Sequence, residues 1–322
     1  MLVTTGVDKK LPPAERAVVV GAFDGLHIGH QYLIHRTCAE AAAGGLEATV
    51  LTFEPIPEEV LAPAASAGMR LTVADERLDI LKDLCVDRVV VIEFDERFSA
   101  LSAEAFARDV LDGHLNTKVL LAAENHAFGS GAEADINVIA RLARQYGFQL
   151  ITVPLLKLDG MRVSSTEVRK YLREAHAEEA AALLARHYSL RGTVVAGTGR
   201  GRRLGLPTVN LGVPPNKLIP GSAVYAGLAD GPALRRQIGA EAVPCPAAIH
   251  IGPQPTFDGG HNTIEAHIIT DHDLELLGSQ LDLSFVRRLR FVRKFAGAEA
   301  LKAQIARDVE STRRFVGHGD SQ

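Results

Sequence analysis

The chain has 322 residues, about twice the roughly 150 residues of a typical domain, so its length predicts two domains. Apolar residues make up 47% and charged residues 23% of the sequence, which is typical of globular proteins and argues against a disordered chain. The net charge of −4, from 35 basic and 39 acidic residues, disfavours nucleic acid as the main ligand. Apolar runs such as residues 17–23 are far shorter than a membrane helix of about 18 residues, so no membrane partner is expected.

The cysteines and the first residues of the chain indicate its compartment. Cys38, Cys85 and Cys245 are odd in number and widely spaced, which predicts neither a disulfide framework nor a zinc site. The first residues are charged and contain two prolines without an apolar core, so no secretory signal is visible. Together these features favour a reducing cytoplasm.

The first half alternates short β-rich runs with helical stretches. Strands are predicted at 17–21, 48–53, 88–94, 118–122 and 149–154, and helices at 31–43, 74–84, 102–111 and 136–146. Leu78, Leu81 and Cys85 recur at the spacing of a helix face that packs on a sheet. This alternation predicts an α/β domain of the Rossmann-like kind, with a parallel sheet covered by helices.

The pattern changes after an alanine-rich helix at 178–186. Strand-like runs separated by turn residues follow, with no helix between them, at 193–196, 224–228, 247–251, 263–269 and 281–289. Such a series predicts a small antiparallel β-barrel. A last helix would close the barrel with an apolar face formed by Leu301, Ile305, Val309 and Phe315. The boundary is placed at 187, which gives domains at 1–187 and 188–322.

The first chemical site follows the first predicted strand, where residues 21–30 read Gly-Ala-Phe-Asp-Gly-Leu-His-Ile-Gly-His and a helix begins at once. This turn is expected at the carboxyl ends of the strands, where ligands bind, and a helix N-terminus favours phosphate. Gly25 and Gly29 would let the backbone approach the anion. His27 and His30 would donate hydrogen bonds to its oxygens from one side of the helix.

A His-x-x-His pair is also a metal-binding pattern. No third ligand follows at helical spacing, which disfavours zinc. Two ordinary surface histidines would leave the glycines and Asp24 of the same turn unexplained. The turn therefore favours electrostatic stabilisation of a reacting phosphate over either alternative.

These residues resemble the signature of the adenylyltransferase half of bacterial bifunctional riboflavin kinase/FAD synthetases, in the nucleotidylyltransferase superfamily. The resemblance continues in order through Thr52-Phe53-Glu54-Pro55, Leu71-Thr72, Phe98-Ser99-Ala100-Leu101-Ser102, and Ser164-Ser165-Thr166 with Arg169. It implies catalytic roles for His27 and His30 and a nucleotide site formed by Gly21, Phe23, Asp24, Gly25, Gly29, Ser164, Ser165, Thr166 and Arg169. It also implies a flavin site formed by Phe53, Pro55, Asn125 and Phe128. The departures from the family pattern in this half are Ile56, Ala123 and His126.

The second chemical site is the glycine- and arginine-rich segment 197–210, Gly-Thr-Gly-Arg-Gly-Arg-Arg-Leu-Gly-Leu-Pro-Thr-Val-Asn. It is not a dinucleotide fingerprint, because Pro207 and a β-like run stand where a helix should begin, and no Gly-Lys pair provides a P-loop. Thr208 and Asn210 would face the same way in an extended chain, towards a magnesium–nucleotide centre. A solvated Gly-Arg turn is the alternative.

Glu265 lies in a run where apolar residues alternate with polar ones, so its carboxylate is expected on the polar face of a strand. There it could accept the proton of an attacking hydroxyl, although a solvent-facing strand glutamate is common.

From Leu190 onward the chain resembles the riboflavin kinase module, with Pro207-Thr208-x-Asn210, Val224-Tyr225-Ala226 and Ile251-Gly252 before Glu265. This resemblance implies that Glu265 is the base that activates the flavin 5′-hydroxyl. It implies that Thr208 and Asn210 bind magnesium–nucleotide, with Asn210 also taking part in catalysis. The remaining nucleotide contacts would come from Gly199, Arg200, Gly201, Arg202, Gly205 and Pro207.

Together the two resemblances imply a cytoplasmic enzyme that phosphorylates riboflavin to FMN and adenylylates FMN to FAD. Riboflavin, FMN and ATP would be its partners and Mg²⁺ its cofactor, and self-association is left open. A kinase beside a weakened adenylyltransferase and a flavin-binding regulatory protein are the alternatives. A class I tRNA synthetase relative is disfavoured because no Lys-Met-Ser-Lys-like element occurs.

Overall fold

The structure is a computed structural model that describes residues 1–6, 11–197, 206–253 and 262–316. The chain divides into two compact units, Met1–Ser165, here the N-terminal unit, and Thr166–Gln322, here the barrel unit. The helices between residues 165 and 187 cluster with the barrel in this division. A functional boundary at 187 remains a prediction.

The N-terminal unit is built on a six-stranded parallel sheet. Its strands are β1 Leu2–Thr5, β2 Arg16–Val20, β3 Glu47–Glu54, β4 Arg88–Glu93, β5 Thr117–Ala123 and β6 Gln149–Val153, in the order β1-β4-β3-β2-β5-β6. All five residues of β2 are buried, as a central parallel strand requires. The predicted α/β class is confirmed. The edge strand β1 was not predicted, because it is mostly exposed and has no apolar signature.

Helices cover this sheet. They are α1 Ile28–Gly44, α2 Pro57–Leu61, α3 Pro63–Ser66, α4 Ala74–Lys82, α5 Glu96–Ser99, α6 Ala103–Ala105 and α7 Ile136–Tyr146. A π-helical segment, Phe106–His114, continues α6. Ser102 accepts a hydrogen bond from the Ala105 backbone N–H at 3.1 Å and is the N-cap of α6. A hairpin of β7 Lys157–Leu158 and β8 Met161–Arg162 follows the sheet.

The barrel unit contains a closed six-stranded antiparallel barrel. Its strands are β9 Tyr188–Val195, β10 Val209–Gly212, β11 Ala223–Asp230, β12 Cys245–Pro253, β13 Asn262–Ile268 and β14 Gln280–Phe291, in the order β10-β13-β12-β11-β14-β9. Its helices are α8 Ser165–Arg173, α9 Ala177–Leu184, α10 Pro232–Ile238 and α11 Ala298–Val316. The predicted barrel and closing helix are confirmed. The expectation of no helix between the strands is wrong at α10, where Pro232 provides a favourable first helical residue.

Helix α11 packs on strands β11, β12 and β14 with a stripe that is partly polar. The expected apolar residues of this helix are only half-buried, whereas Gln304, Asp308 and Thr312 are buried. Asp308 accepts hydrogen bonds from Nε of Arg290 on β14 at 3.1 Å and from its second guanidinium nitrogen at 2.7 Å. Gln304 donates to the same carboxylate at 2.8 Å. A satisfied charge pair, and not an apolar seam alone, therefore fixes α11 on the barrel.

Two of the three cysteines are paired. Cys38 on α1 and Cys85, just before β4, form a disulfide whose Cα atoms are 6.0 Å apart, and Cys245 is free and buried. The expectation that the cysteines are unpaired is therefore wrong for Cys38 and Cys85. Their separation of 47 positions in the sequence hid a contact that exists only once the fold is formed.

Candidate functional site

A cavity of about 710 Å³ opens at the carboxyl ends of the strands in the N-terminal unit. It lies where the strand order reverses, with β2 between β3 and β5, which is the usual ligand position in an open α/β sheet. One end, the histidine end, is lined by Gly21, Phe23, His27, Gly29, His30, Ser164 and Ser165. The other, the aromatic end, is lined by Phe53, Phe94, Phe98, Phe106, Asn125, His126 and Phe128.

His27 and His30 form the floor of the histidine end. His27 is the N-cap of α1, and its Nδ1 accepts the backbone N–H of His30 at 3.2 Å. Because Nδ1 accepts, a neutral His27 ring carries its proton on Nε2 and can donate from there. The two imidazoles stack with centroids 3.7 Å apart. A Cβ at Gly29 would lie 3.1 Å from Nδ1 of His27, so the glycine leaves room for this ring.

Asp24 and Gly25 lie behind the cavity and not in its wall. The Asp24 carboxylate accepts the backbone N–H groups of Leu71 at 3.0 Å and Thr72 at 2.9 Å. Gly25 donates its N–H to the Thr72 hydroxyl at 3.0 Å, and with φ +81° its Cβ would lie 2.7 Å from Leu71. These contacts hold the turn in place, and the nucleotide contacts expected of the two residues remain predictions.

The same turn contains backbone conformations that side chains rarely adopt. Phe23 and Leu26 have φ of +50° and +43°, and both side chains are buried. Such conformations persist only where the surroundings fix them, and the buried hydrogen bonds of Asp24 provide that constraint. The turn therefore holds its cavity-facing residues in fixed positions.

The buried Arg77 on α4 ties two strand ends together. Its guanidinium donates to the carbonyl oxygen of Ala22 at 2.9 Å and to that of Phe53 at 2.7 Å, and it pairs with Glu54 at 2.8 Å. Sequence analysis did not give Arg77 a role, because its position on an amphipathic helix does not reveal that it reaches across the ends of β2 and β3. It positions the cavity wall without lining it.

Ser164 and Ser165 line the histidine end, and the Ser165 hydroxyl donates to the Asp24 carbonyl oxygen at 2.9 Å. The exposed hairpin contributes Arg162, a cation that sequence analysis missed. Thr166 and Arg169, both predicted nucleotide contacts, lie on α8, and their roles remain predictions.

Phenylalanines form a continuous series at the aromatic end. Ring centroids are 5.5 Å apart for Phe53–Phe94, 5.8 Å for Phe53–Phe98 and 5.0 Å for Phe106–Phe128, in tilted or edge-on arrangements. Such rings favour stacking of a planar aromatic ligand. Phe94 was missed, although its place directly after β4, beside the end of β3, was a usable signal. Pro55 does not line the cavity and instead forms a cis peptide bond with Glu54.

His126 adds a polar group to this end. Its ring lies 6.1 Å from that of Phe128, and burial lowers the pKa of His126 to about 4. The imidazole is therefore neutral at pH 7 and can both donate and accept a hydrogen bond. Asn125 beside it is exposed and lines the same cavity. The departure from the family pattern at 126 thus places a hydrogen-bonding side chain in the cavity wall.

In the barrel unit the strand register brings three polar residues into one row. Asn210 on β10 is opposite Glu265 on β13, and Glu265 is opposite His250 on β12. Directly paired residues lie on the same face of a sheet, so the three side chains are neighbours. Ile264 and Ala266 are buried on the opposite face, as the alternating pattern predicted. His250 is a member of this row that sequence analysis missed.

The approach to this row is close-packed. A Cβ at Gly197 would lie 2.0 Å from the side-chain nitrogen of Asn210, so a glycine is required there. Thr208 is half-buried two residues before Asn210, and the Pro207 carbonyl oxygen is 2.8 Å from Nδ1 of His267. The predicted nucleotide contacts Gly199, Arg200, Gly201, Arg202 and Gly205 lie outside the described residues.

Both halves of the chain match family models, residues 9–167 that of FAD synthetase and residues 184–316 that of riboflavin kinase. The bifunctional riboflavin kinase/FMN adenylyltransferase of Escherichia coli K12 is 34% identical over 307 residues, which cover 95% of this chain and 94% of that protein. The enzyme of the same name from Listeria monocytogenes is 32% identical, with coverages of 93% and 92%. The chain belongs to the bifunctional riboflavin kinase/FMN adenylyltransferase family.

This member of the family is thus an enzyme of flavin cofactor biosynthesis with a riboflavin kinase and an FMN adenylyltransferase domain. The kinase-only and regulatory alternatives are not favoured, since the relatives match along both halves. The family depends on ATP, which implies a divalent metal. A crystal structure described as a macrolide-efflux protein from Streptococcus pneumoniae has a TM-score of 0.85 and 27% identity, and covers 97% of this chain and 99% of that chain. Within the described ranges, no helix has the length and apolarity to span a bilayer.

Proposed function

We propose that the barrel unit transfers the γ-phosphate of ATP to the 5′-hydroxyl of riboflavin, and that the N-terminal unit transfers AMP from a second ATP to the resulting FMN. The observation that supports this division most directly is the cavity of the N-terminal unit, which joins phosphate-binding histidines to an aromatic wall. FAD has the same two parts, a phosphate chain and a flat flavin ring. Because both reactions consume ATP, we also place the enzyme in the cytoplasm.

In the N-terminal unit the flavin ring would stack at the aromatic end, among Phe53, Phe98 and Phe128. Its phosphate then points to the histidine end. A phosphate oxygen of FMN attacks the α-phosphorus of ATP, the bond to the β-phosphate oxygen breaks, and pyrophosphate leaves. His27 and His30 donate to the oxygens on which charge develops, with no nucleophilic side chain required. Ser164 and Ser165, which line the same end of the cavity, contact the nucleotide.

In the barrel unit Glu265 would act as general base. Its carboxylate accepts the proton of the riboflavin 5′-hydroxyl while the hydroxyl oxygen attacks the γ-phosphorus, and ADP leaves. Asn210, opposite Glu265 on the neighbouring strand, is placed to orient the phosphate chain. The alternating pattern of β13 is what keeps this carboxylate out of the apolar interior.

Thr208 and Asn210 offer a hydroxyl and an amide oxygen, which are ligands that Mg²⁺ accepts, and Gly197 leaves the space that the Asn210 amide occupies. Among the described residues no group of three or more His, Cys, Asp or Glu side chains is placed to hold a metal. A magnesium ion here would therefore depend on phosphate and water oxygens for its remaining ligands. When bound, it neutralises phosphate charge and aligns the reacting groups.

The test is to supply purified protein with ATP, Mg²⁺ and either riboflavin or FMN, and to separate the products by chromatography. We expect FMN and FAD from riboflavin, and FAD with an equal amount of pyrophosphate from FMN. Formation of FMN from riboflavin, with no FAD in either incubation, would contradict the role of the N-terminal cavity.

A further inference from the structure

We propose that His250 is a positioning residue of the kinase site, which holds the Glu265 carboxylate in the orientation that accepts the proton of the flavin hydroxyl. The inference rests on the proposed role of Glu265 as the base. It assigns the missed member of the polar row a specific task.

The strand register places His250 beside Glu265. His250 and Glu265 are directly opposed across β12 and β13, where Cβ atoms are typically about 5 Å apart. On its other side Glu265 is opposed by Asn210. The carboxylate therefore stands between an amide and an imidazole on one face of the barrel. The amide and a neutral imidazole can each donate a hydrogen bond to the carboxylate, which stays negatively charged.

The His250 ring lies over Gly252, two residues further along the same strand. A Cβ at Gly252 would lie 2.7 Å from Cε1 and 2.9 Å from Nε2 of His250, so the imidazole occupies the space that this glycine leaves. Any larger residue at 252 would push the ring aside. The glycine therefore leaves the room in which the half-buried ring lies, on the strand directly opposite Glu265.

The surrounding charges determine which form of His250 is present. Glu265 on β13 favours the protonated ring, whereas Arg290 on β14 opposes it and is itself paired with Asp308 on α11. Burial is the largest influence and lowers the pKa of His250, and the neighbour on β11, Val224, is apolar. The neutral ring can orient Glu265 and leave it a base. Protonation of the ring would add a positive charge beside Glu265 and remove this neutral donor.

The experiment compares His250→Ala, His250→Leu and His250→Gln with the native enzyme in the kinase reaction. We expect kcat for FMN formation to fall about 10- to 100-fold in the Ala and Leu variants, with less than about a threefold change in the KM for ATP. His250→Gln, which keeps a neutral donor, should restore most of kcat. It should also move the acid limb of the kcat–pH profile to lower pH, because no imidazolium forms beside Glu265.

Three controls make the outcome decisive. His272→Asn, an exposed histidine of the barrel unit, should leave both reactions unchanged. Thermal unfolding of each variant shows that the barrel is intact. Adding His250→Ala to Glu265→Gln should cause no further loss beyond Glu265→Gln alone, because the two residues act as one unit.

The possible results distinguish an error in the role of Glu265 from an error in the role of His250. If Glu265→Gln kept full kinase activity, the proposed base would be wrong. If Glu265→Gln were inactive but folded His250→Ala and His250→Leu kept native kcat and acid limb, the role of His250 would be wrong. An equal loss in the Ala and Gln variants with an unmoved acid limb would likewise overturn it, because packing alone would explain that result.

Discussion

The two sites of this enzyme are constructed in different ways. The N-terminal site collects residues from five distant segments, and much of its precision comes from buried groups, Asp24 and Arg77, that do not line the cavity. The barrel site places Asn210, Glu265 and His250 by strand register alone. A turn needs supporting residues to keep its shape, whereas a ladder of backbone hydrogen bonds supplies that support directly. Substitutions should therefore affect the two sites differently.

The largest expected effect separates the two reactions at the barrel. Glu265→Gln keeps the shape of the side chain but removes the proton acceptor, so FMN formation should fall by about 10³-fold. FAD formation from supplied FMN should stay at the native rate. Product chromatography with each flavin substrate measures both, and an equal loss of the two reactions in folded protein would show that the sites are not independent.

The reciprocal change lies at the histidine end. His30→Ala removes a donor to the reacting phosphate while leaving the His27 cap acceptor in place, so FAD formation should fall by about 10²-fold or more. FMN formation should be unchanged. Pyrophosphate release from FMN and ATP is the measurement, and an undiminished rate would remove His30 from the mechanism.

Asp24 tests whether the N-terminal site depends on the buried residues that hold its turn. The Asp24 carboxylate accepts hydrogen bonds from three groups, the N–H of Leu71 and the N–H and hydroxyl of Thr72. Asp24→Asn replaces one of its two acceptor oxygens with a donor, so the N-terminal unit should lose about 2–3 kcal/mol of unfolding free energy. FAD formation should fall with it and FMN formation should not. Denaturant unfolding and both assays measure this. The exposed Asp112→Asn provides the matched control, and equal stability of the two variants would contradict the supporting role of Asp24.

The smallest effect concerns pH and His126. Because burial lowers the pKa of His126 to about 4, the unfolded chain binds a proton between pH 6.5 and 4 that the folded chain does not. Stability should therefore fall as pH decreases through this window and level off below it, by about 1–2 kcal/mol from this group. His126→Phe should reduce that slope. Urea unfolding at pH 7.5 and 5 measures the difference, and parallel slopes would contradict the shift.

The sequence predicted the architecture because hydrophobic periodicity differs clearly between the two halves. It failed where no such pattern exists, as at the exposed strand β1 and the seven-residue helix α10. In α11 the apolar face was expected to be the buried one, but the pairing of Asp308 with Arg290 buries a polar stripe. An ion pair between distant segments leaves no periodic signal.

For the sites, spacing identified the turn before α1 and the alternation around Glu265. Spacing could not distinguish a residue that faces a ligand from one that holds the turn. Asp24 and Gly25 are next to cavity-lining residues in the sequence, but they do not line the cavity and instead hold the turn in place. His250 acts on its cross-strand neighbour Glu265, and Arg77 reaches from α4 to the ends of β2 and β3. Their roles became visible only when the register and the strand ends were known.

The row across β10, β13 and β12 also limits how this enzyme can change during evolution. Side chains alternate along a strand, so deletion of one residue within β13 would turn Glu265 into the apolar interior and bring an isoleucine or alanine to the surface in its place. Length variation among descendants of this sequence should therefore be excluded from β13 and tolerated in surface segments such as the exposed residues 271–273. A sequencing survey of functional random-deletion libraries would display that contrast directly.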